Sequence, residues 1–236
     1  MGITDHLAGI RARIDEAARR STARRDERHE GGQAGGRITL VGASKGQSIA
    51  TIRAALAAGL HDFGENYVQE ALPKITAVGP GATWHFIGRI QSNKTRDIAT
   101  HFTWAQTVTS ARIARRLDDQ RPHFGPPLQV CIQVAAEDAP GRDGCPRAEV
   151  VDLAAVIAGL PRLTLRGLML LPAEGLAPEA ERLEYRATAE LFDELNRRGH
   201  RLDTLSMGMS GDFERAIEEG STMVRVGTAL FGPRGK

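Results

Sequence analysis

The chain has 236 residues, 41% hydrophobic and 25% charged, the balance of a folded domain rather than a disordered one. Lys and Arg number 31 against 29 Asp and Glu, and a net charge of +2 gives no general argument for nucleic-acid or anionic-membrane binding. No apolar run approaches the roughly 20 residues that span a bilayer, and Cys131 and Cys145 are too few for a disulfide scaffold and match no metal-site spacing.

Residues 1–20 read as an N-terminal helix. Ile3, Leu7, Ile10 and Ile14 are four, three and four residues apart, so they form one apolar face with Arg and Asp opposite. The alternation of apolar and charged residues leaves no unbroken apolar core of a secretory signal, and a cytoplasmic, reduced protein is expected. Residues 21–36, STARRDERHEGGQAGG, lose the periodicity and read as a flexible linker. The arginines at 19, 20, 24, 25 and 28 are diluted by Asp26, Glu27 and Glu30, the pattern of a solvated surface.

From residue 37 to 236 short apolar runs alternate with longer amphipathic stretches. The runs are Ile38–Ala43, His61–Phe63, Thr83–Ile87, Thr103–Val108, Leu128–Ala135, Leu163–Leu171, Thr204–Met207 and Met223–Val226. Between them Ile49–Ala58, Tyr67–Val78, Ser110–Asp119, Ala148–Ala158, Ala180–Arg198 and Phe213–Glu218 read as helices. Strands that alternate with helices form parallel sheets, because each parallel pair needs a crossover. Eight runs fit an α/β fold of the (β/α)8 TIM-barrel type, whose usual size is about 250 residues. An open doubly wound sheet competes, but the turn after the first strand is Gly42-Ala43-Ser44-Lys45-Gly46 and lacks its G-x-G-x-x-G.

A barrel of this type carries its site where the strands end. Lys45 follows the first strand, and an amine there can be desolvated enough to attack carbonyls. A surface lysine in the first loop is the alternative reading. The ends of strands seven and eight are the recurrent phosphate site of such barrels. There Gly208, Gly211, Gly227 and Gly232 allow close backbone approach, and Ser210 and Thr228 supply hydroxyls. Gly227-x4-Gly232 imitates the start of a P-loop, but Pro233 and Arg234 replace its Lys and Ser/Thr, which argues against ATP. Arg225 interrupts the apolar run MVRVG and needs an acceptor if buried, either a ligand or a structural partner. His85 lies between Trp84 and Phe86 and points into the barrel if those aromatics face the helices, as a core histidine or a ligand contact. Cys131 reads as a small core residue.

A nucleophilic amine, a phosphate cradle and a buried cation suit a ligand with an aldehyde, a phosphate and an acceptor atom. VGASK, FGENYVQE, WHFIGRIQSNK, RGLML and LSMGMSGDFERAIEEGSTMVRVGTALFG resemble the pyridoxal phosphate homeostasis protein family, short relatives of the alanine racemase barrel. The likeness runs from about Ile38 to Gly232. It implies pyridoxal 5′-phosphate (PLP) held as an internal aldimine on Lys45, with Arg225 facing the pyridine nitrogen. It implies that Ser210, Gly227 and Thr228 hold the phosphate with Ser206 and Met209 nearby, and that Asn66 and His85 line the pocket. Gly211 replaces an acidic residue common in the S-M-S-x-D block. Arg142 stands where a Lys often precedes the Gly of the fifth βα loop, which puts a second, exchange-type lysine site in doubt. An arginine opposite the pyridine nitrogen does not protonate it, and neither Tyr67 nor Tyr185 is an obvious second base. The expected function is therefore PLP homeostasis by a cytoplasmic monomer that buffers the cofactor or delivers it to apo-enzymes. Independent catalysis is not expected. A PLP-dependent racemase or decarboxylase, a class I aldolase acting through Lys45, and an interaction module built on the N-terminal helix are the competing readings.

Overall fold

A computed structural model describes residues 2–28, 37–136 and 144–232. Strands and helices alternate as β1 (Thr39–Ala43), α2 (Ile49–Ala57), β2 (Asp62–Glu65), α3 (Val68–Val78), β3 (Thr83–Phe86), α4 (Thr95–His101), β4 (Trp104–Val108) and α5 (Ala111–Gln120). The second half continues with β5 (Leu128–Val134), α6 (Val150–Ala158), β6 (Leu163–Leu170), α7 (Pro178–Arg197), β7 (Thr204–Ser206), α8 (Phe213–Glu218), β8 (Met223–Val226) and α9 (Thr228–Phe231). The strands form a closed, all-parallel barrel in chain order, and β1 pairs with β8 so that Val41 lies beside Arg225. This is the (β/α)8 barrel that the alternation predicts. The open-sheet alternative is excluded, because closure leaves no sheet edge.

Side chains alternate between the two faces of each strand, and the alternation creates two unlike layers. Phe63, Trp84, Phe86, Val130, Ile132, Leu168, Leu205 and Val224 point outward into the main core, where Ile52, Ile98, Leu117, Ile157, Tyr185 and Phe213 of the helices meet them. Inside the strands a small separate cluster holds Val41, Trp104, Cys131, Met169 and Met223. Cys131 is fully buried there, and burial pushes its thiol pKa up to about 12.

An N-terminal helix, α1 (Ile3–Arg28), packs against α8 and α9. Leu7, Ile10 and Ile14 of the predicted apolar face are buried with Ala17, and Ile3 is partly buried. Arg13 pairs with Glu214 and Arg20 with Glu218 at the edge of that contact. The helix continues eight residues beyond the boundary expected at residue 20. The stretch Ser21–Arg28 lacks an apolar stripe, so periodicity alone does not register it, although Ala, Arg and Glu make up five of its eight residues and favour a helix. Residues 29–36 of the expected linker lie outside the described residues. One helix absent from the sequence reading, α4, is seven residues long and too short to show a period.

Candidate functional site

Lys45 sits just past the C-terminal end of β1, partly buried, with Nζ 4.9 Å from the centroid of the Tyr67 ring. The backbone beneath it is held by a buried ion pair. Lys74 Nζ of α3 donates to the Ser44 carbonyl at 2.9 Å and to Glu65 Oε1 at 2.7 Å, and the Ser44 hydroxyl donates to the same carboxylate oxygen at 2.6 Å. Burial pushes the Glu65 carboxyl pKa up, against the opposing effect of the hydrogen bonds from Lys74 and Ser44. Asn66 follows at the end of β2, partly buried. The chain after β3 passes so close to Asn66 that a Cβ on Gly88 would lie 2.1 Å from the Asn66 carbonyl oxygen, which explains the glycine in WHFIGR.

Beside β1, at the ends of β7 and β8, two loops meet. The turn after β7 needs Gly208 at φ +92°, where a side chain would also strike Phe213 and Ala216. The next amide, Met209 N–H, donates to Asp212 Oδ1, and the buried Tyr185 hydroxyl donates to Asp212 Oδ2 at 2.7 Å. Ser210 Oγ accepts from the Gly227 amide at 3.3 Å, which ties this turn to the start of α9. Met209 and Thr228 are exposed beside it. Ser210, Gly227, Thr228 and Met209 are thus brought together, as a hydroxyl and amide notch suited to a small anion. Gly211 has open space around its Cα and an ordinary φ.

The floor carries Arg225, only 3% exposed. Its Nη1 donates to the Ser206 carbonyl and hydroxyl oxygens, both at 2.6 Å, and Nη2 donates to the Leu170 carbonyl at 2.9 Å. Among the described residues no carboxylate touches it and its Nε has no partner. Burial lowers its pKa to about 10, so it remains a cation at neutral pH.

Ser206 faces this interior rather than the rim, and its hydroxyl donates to Gln106 Oε1 at 2.6 Å. His85 is also inside, as the outward packing of Trp84 and Phe86 requires. It is fully buried, stacked on Trp104 at 5.3 Å, and hydrogen-bonded to Gln106 through Nδ1 and to Asp62 through Nε2. Burial holds its pKa down, opposed by Asp62.

The sequence reading misses Asp62, Lys74 and Gln106, and gives no role to Glu65 and Asp212 at the strand ends. The signal for Gln106 is its inward alternation within WAQTV, and for Asp62 its place two residues before Gly64 on the inward face of β2. Arg142, Pro233 and Arg234 lie outside the described residues.

Residues 40–235 match the family model described as alanine racemase, N-terminal domain. A pyridoxal phosphate homeostasis protein of Pseudomonas aeruginosa is 46% identical over 237 residues, covering 98% of this chain and 96% of that one. A protein of the same name from Escherichia coli K12 is 45% identical over 240 residues, covering 98% and 97%. The structure of PipY from Synechococcus elongatus, solved with PLP bound, has a TM-score of 0.82 and 34% identity and covers 98% of this chain and 100% of that one. An alanine racemase of Clostridium difficile, at 15% identity and a TM-score of 0.70, covers 82% of this chain and 52% of its own and shares the fold. With its closed barrel, its lysine at the end of β1 and its arginine in β8, the chain belongs to the pyridoxal phosphate homeostasis protein family.

Proposed function

We propose that this protein binds PLP at the barrel mouth and serves PLP homeostasis, with Lys45 as the covalent anchor. The observation that carries the reading is the convergence of one amine, one hydroxyl and amide notch and one buried guanidinium at the ends of three neighbouring strands. Lys45 follows β1, Ser210 follows β7 and Gly227 follows β8, while Arg225 lies within β8, which pairs with both β1 and β7. The residues fit the cofactor, since a primary amine, an unpartnered guanidinium N–H and a hydroxyl–amide pair match its aldehyde, ring nitrogen and phosphate. When bound, PLP supplies an aldehyde that condenses with primary amines. Ser44, Glu65 and Lys74 hold the backbone that presents Lys45. Ser210, Gly227 and Thr228 hold the phosphate, with Met209 nearby.

Arg225, cationic at neutral pH, retains its proton rather than giving it to the ring nitrogen. A site built this way holds the cofactor without drawing electrons strongly toward the ring. Tyr67 packs against Lys45 and Tyr185 is committed to Asp212, so neither stands as a second base across from Lys45. These features favour a carrier that buffers or delivers the cofactor to apo-enzymes over a racemase or decarboxylase, with indirect effects on amino-acid and keto-acid balance. In this reading the protein works as a cytoplasmic monomer. Among the described residues no helix is long and apolar enough to cross a membrane.

Titrating the wild type and Lys45→Ala with PLP tests the reading. The variant is expected to lose the covalent adduct entirely and to keep weak binding through the phosphate notch. Wild-type-like covalent attachment in the variant would move the anchor to another lysine. Amino-acid turnover by the wild type would instead support the enzyme reading.

A further inference from the structure

The barrel interior contains a hydrogen-bonded chain that runs from Arg225 to the opposite side of the sheet. Its direction follows from donor chemistry. A guanidinium only donates, so Ser206 Oγ must accept from Arg225 Nη1 at 2.6 Å. The one Ser206 O–H then goes to Gln106 at 2.6 Å, which requires the amide oxygen there. The Gln106 amide nitrogen is left facing His85 Nδ1 at 2.8 Å and the Met223 sulfur at 3.1 Å. It donates to both, so Nδ1 carries no proton. A neutral imidazole then bears its proton on Nε2 and donates it to Asp62 Oδ1 at 3.0 Å. One cation thereby sets the hydrogen positions of three further groups, and a carboxylate ends the run. Stacking on Trp104 fixes the His85 ring, and Gln106, His85, Ser206 and Arg225 are all buried. A TIM-barrel interior is ordinarily filled by branched apolar side chains. Here that space goes to a polar line reaching the floor of the site.

We propose that Asp62, His85, Gln106 and Ser206 are positioning residues that hold the Arg225 guanidinium in one orientation beneath the ligand. The inference rests on the PLP-binding reading for its functional consequence and assigns His85 an indirect role rather than a place in the pocket lining. Asp62 fixes the His85 tautomer, His85 fixes the Gln106 amide, Gln106 orients the Ser206 hydroxyl, and Ser206 receives Arg225. With Nη1 and Nη2 committed to Ser206 and Leu170, the guanidinium plane is set.

The test uses the full-length protein in two parts. Nitrogen-15 NMR of the cofactor-free protein reads the His85 ring directly. An unprotonated Nδ1 with a protonated Nε2 is expected, and a proton on Nδ1 would overturn the chain whether or not PLP binds. Gln106→Leu is then titrated with PLP, alone and combined with Arg225→Gln. Breaking a buried bond network of this kind is expected to weaken PLP binding about tenfold and to shift the absorbance of the bound cofactor. In the Arg225→Gln background the same change is expected to alter affinity less than about twofold, because the group it positions is gone. A Gln106→Leu protein that melts lower but binds PLP with wild-type affinity and spectrum would show the line to be structural only. An undiminished tenfold effect in the Arg225→Gln background would likewise overturn the proposal. Ser206→Ala, a smaller change, carries the same expectations and decides the matter if Gln106→Leu fails to fold. Absence of PLP binding by the wild type would instead sink the functional reading and leave the ring measurement to judge the chain.

Discussion

Between strands and helices this barrel buries large apolar side chains such as Phe63, Trp84, Phe86, Leu117 and Phe213, whereas inside the strands the apolar cluster is small and is interrupted by His85, Gln106, Ser206 and Arg225. The outer layer gains from area: a fully buried Leu, Ile or Phe contributes roughly 1.5–3 kcal/mol. The inner layer desolvates a guanidinium and recovers it through carbonyls, a hydroxyl and a chain of oriented groups. The difference separates what makes the barrel stable from what makes it bind. Stability resides where residues can be exchanged for others of like volume, and function where each donor needs one particular acceptor.

That division can be broken at several points. The largest effect is expected from Phe63→Ala in the outer layer, which removes a fully buried ring in contact with Trp84. Denaturant unfolding should show a loss of about 3–5 kcal/mol, with PLP affinity of the folded fraction unchanged. A loss below about 1 kcal/mol would mean that the outer layer is not the source of stability.

Lys74→Met probes a polar exception within that layer. It leaves the Glu65 carboxylate buried beside Ser44 without its cation, and a loss of the order of 3 kcal/mol is expected at neutral pH. The double replacement Glu65→Leu with Lys74→Met should recover most of that loss. If it does not, the pair contributes more than its own compensation.

The smallest effect is a pH slope. Burial lowers the folded pKa of His85 below its ordinary 6.5, so the unfolded chain binds a proton that the folded chain refuses as pH falls through that value. Stability is therefore retained above about pH 6.5 and declines on acidification, by at most about 1.4 kcal/mol per pH unit from this group. His85→Gln should flatten the curve between pH 7 and pH 5. An unchanged slope would show that His85 takes up its proton in the folded state as readily as in the unfolded chain, and would contradict its lowered pKa.

The same two layers divide what can be read from the sequence. Outward-facing residues announce themselves by period, so the eight apolar runs agree with the eight strands to within two residues at every end, and β8 agrees at both. Lys45, Ser210, Gly227, Thr228 and Arg225 are legible because they fall at strand ends or interrupt an apolar run. The inner chain is harder to see. Asp62, Gln106 and Ser206 are ordinary polar residues in separate strands, and only barrel closure with its register brings them into one line. Lys74 is hidden differently, on a helix where a lysine normally reads as solvated. The tail of α1 gives no periodic signal because its helical residues carry no apolar stripe.

The central claim, that the mouth holds PLP on Lys45, is tested most directly by one spectrum. The purified protein, loaded with PLP, is scanned in the near-ultraviolet and visible range before and after borohydride, and its peptides are then mapped by mass. A yellow band that borohydride removes and a pyridoxyl group on the peptide containing Lys45 are expected. A colourless protein that takes up no PLP, or a pyridoxyl group on any other lysine, would contradict the claim.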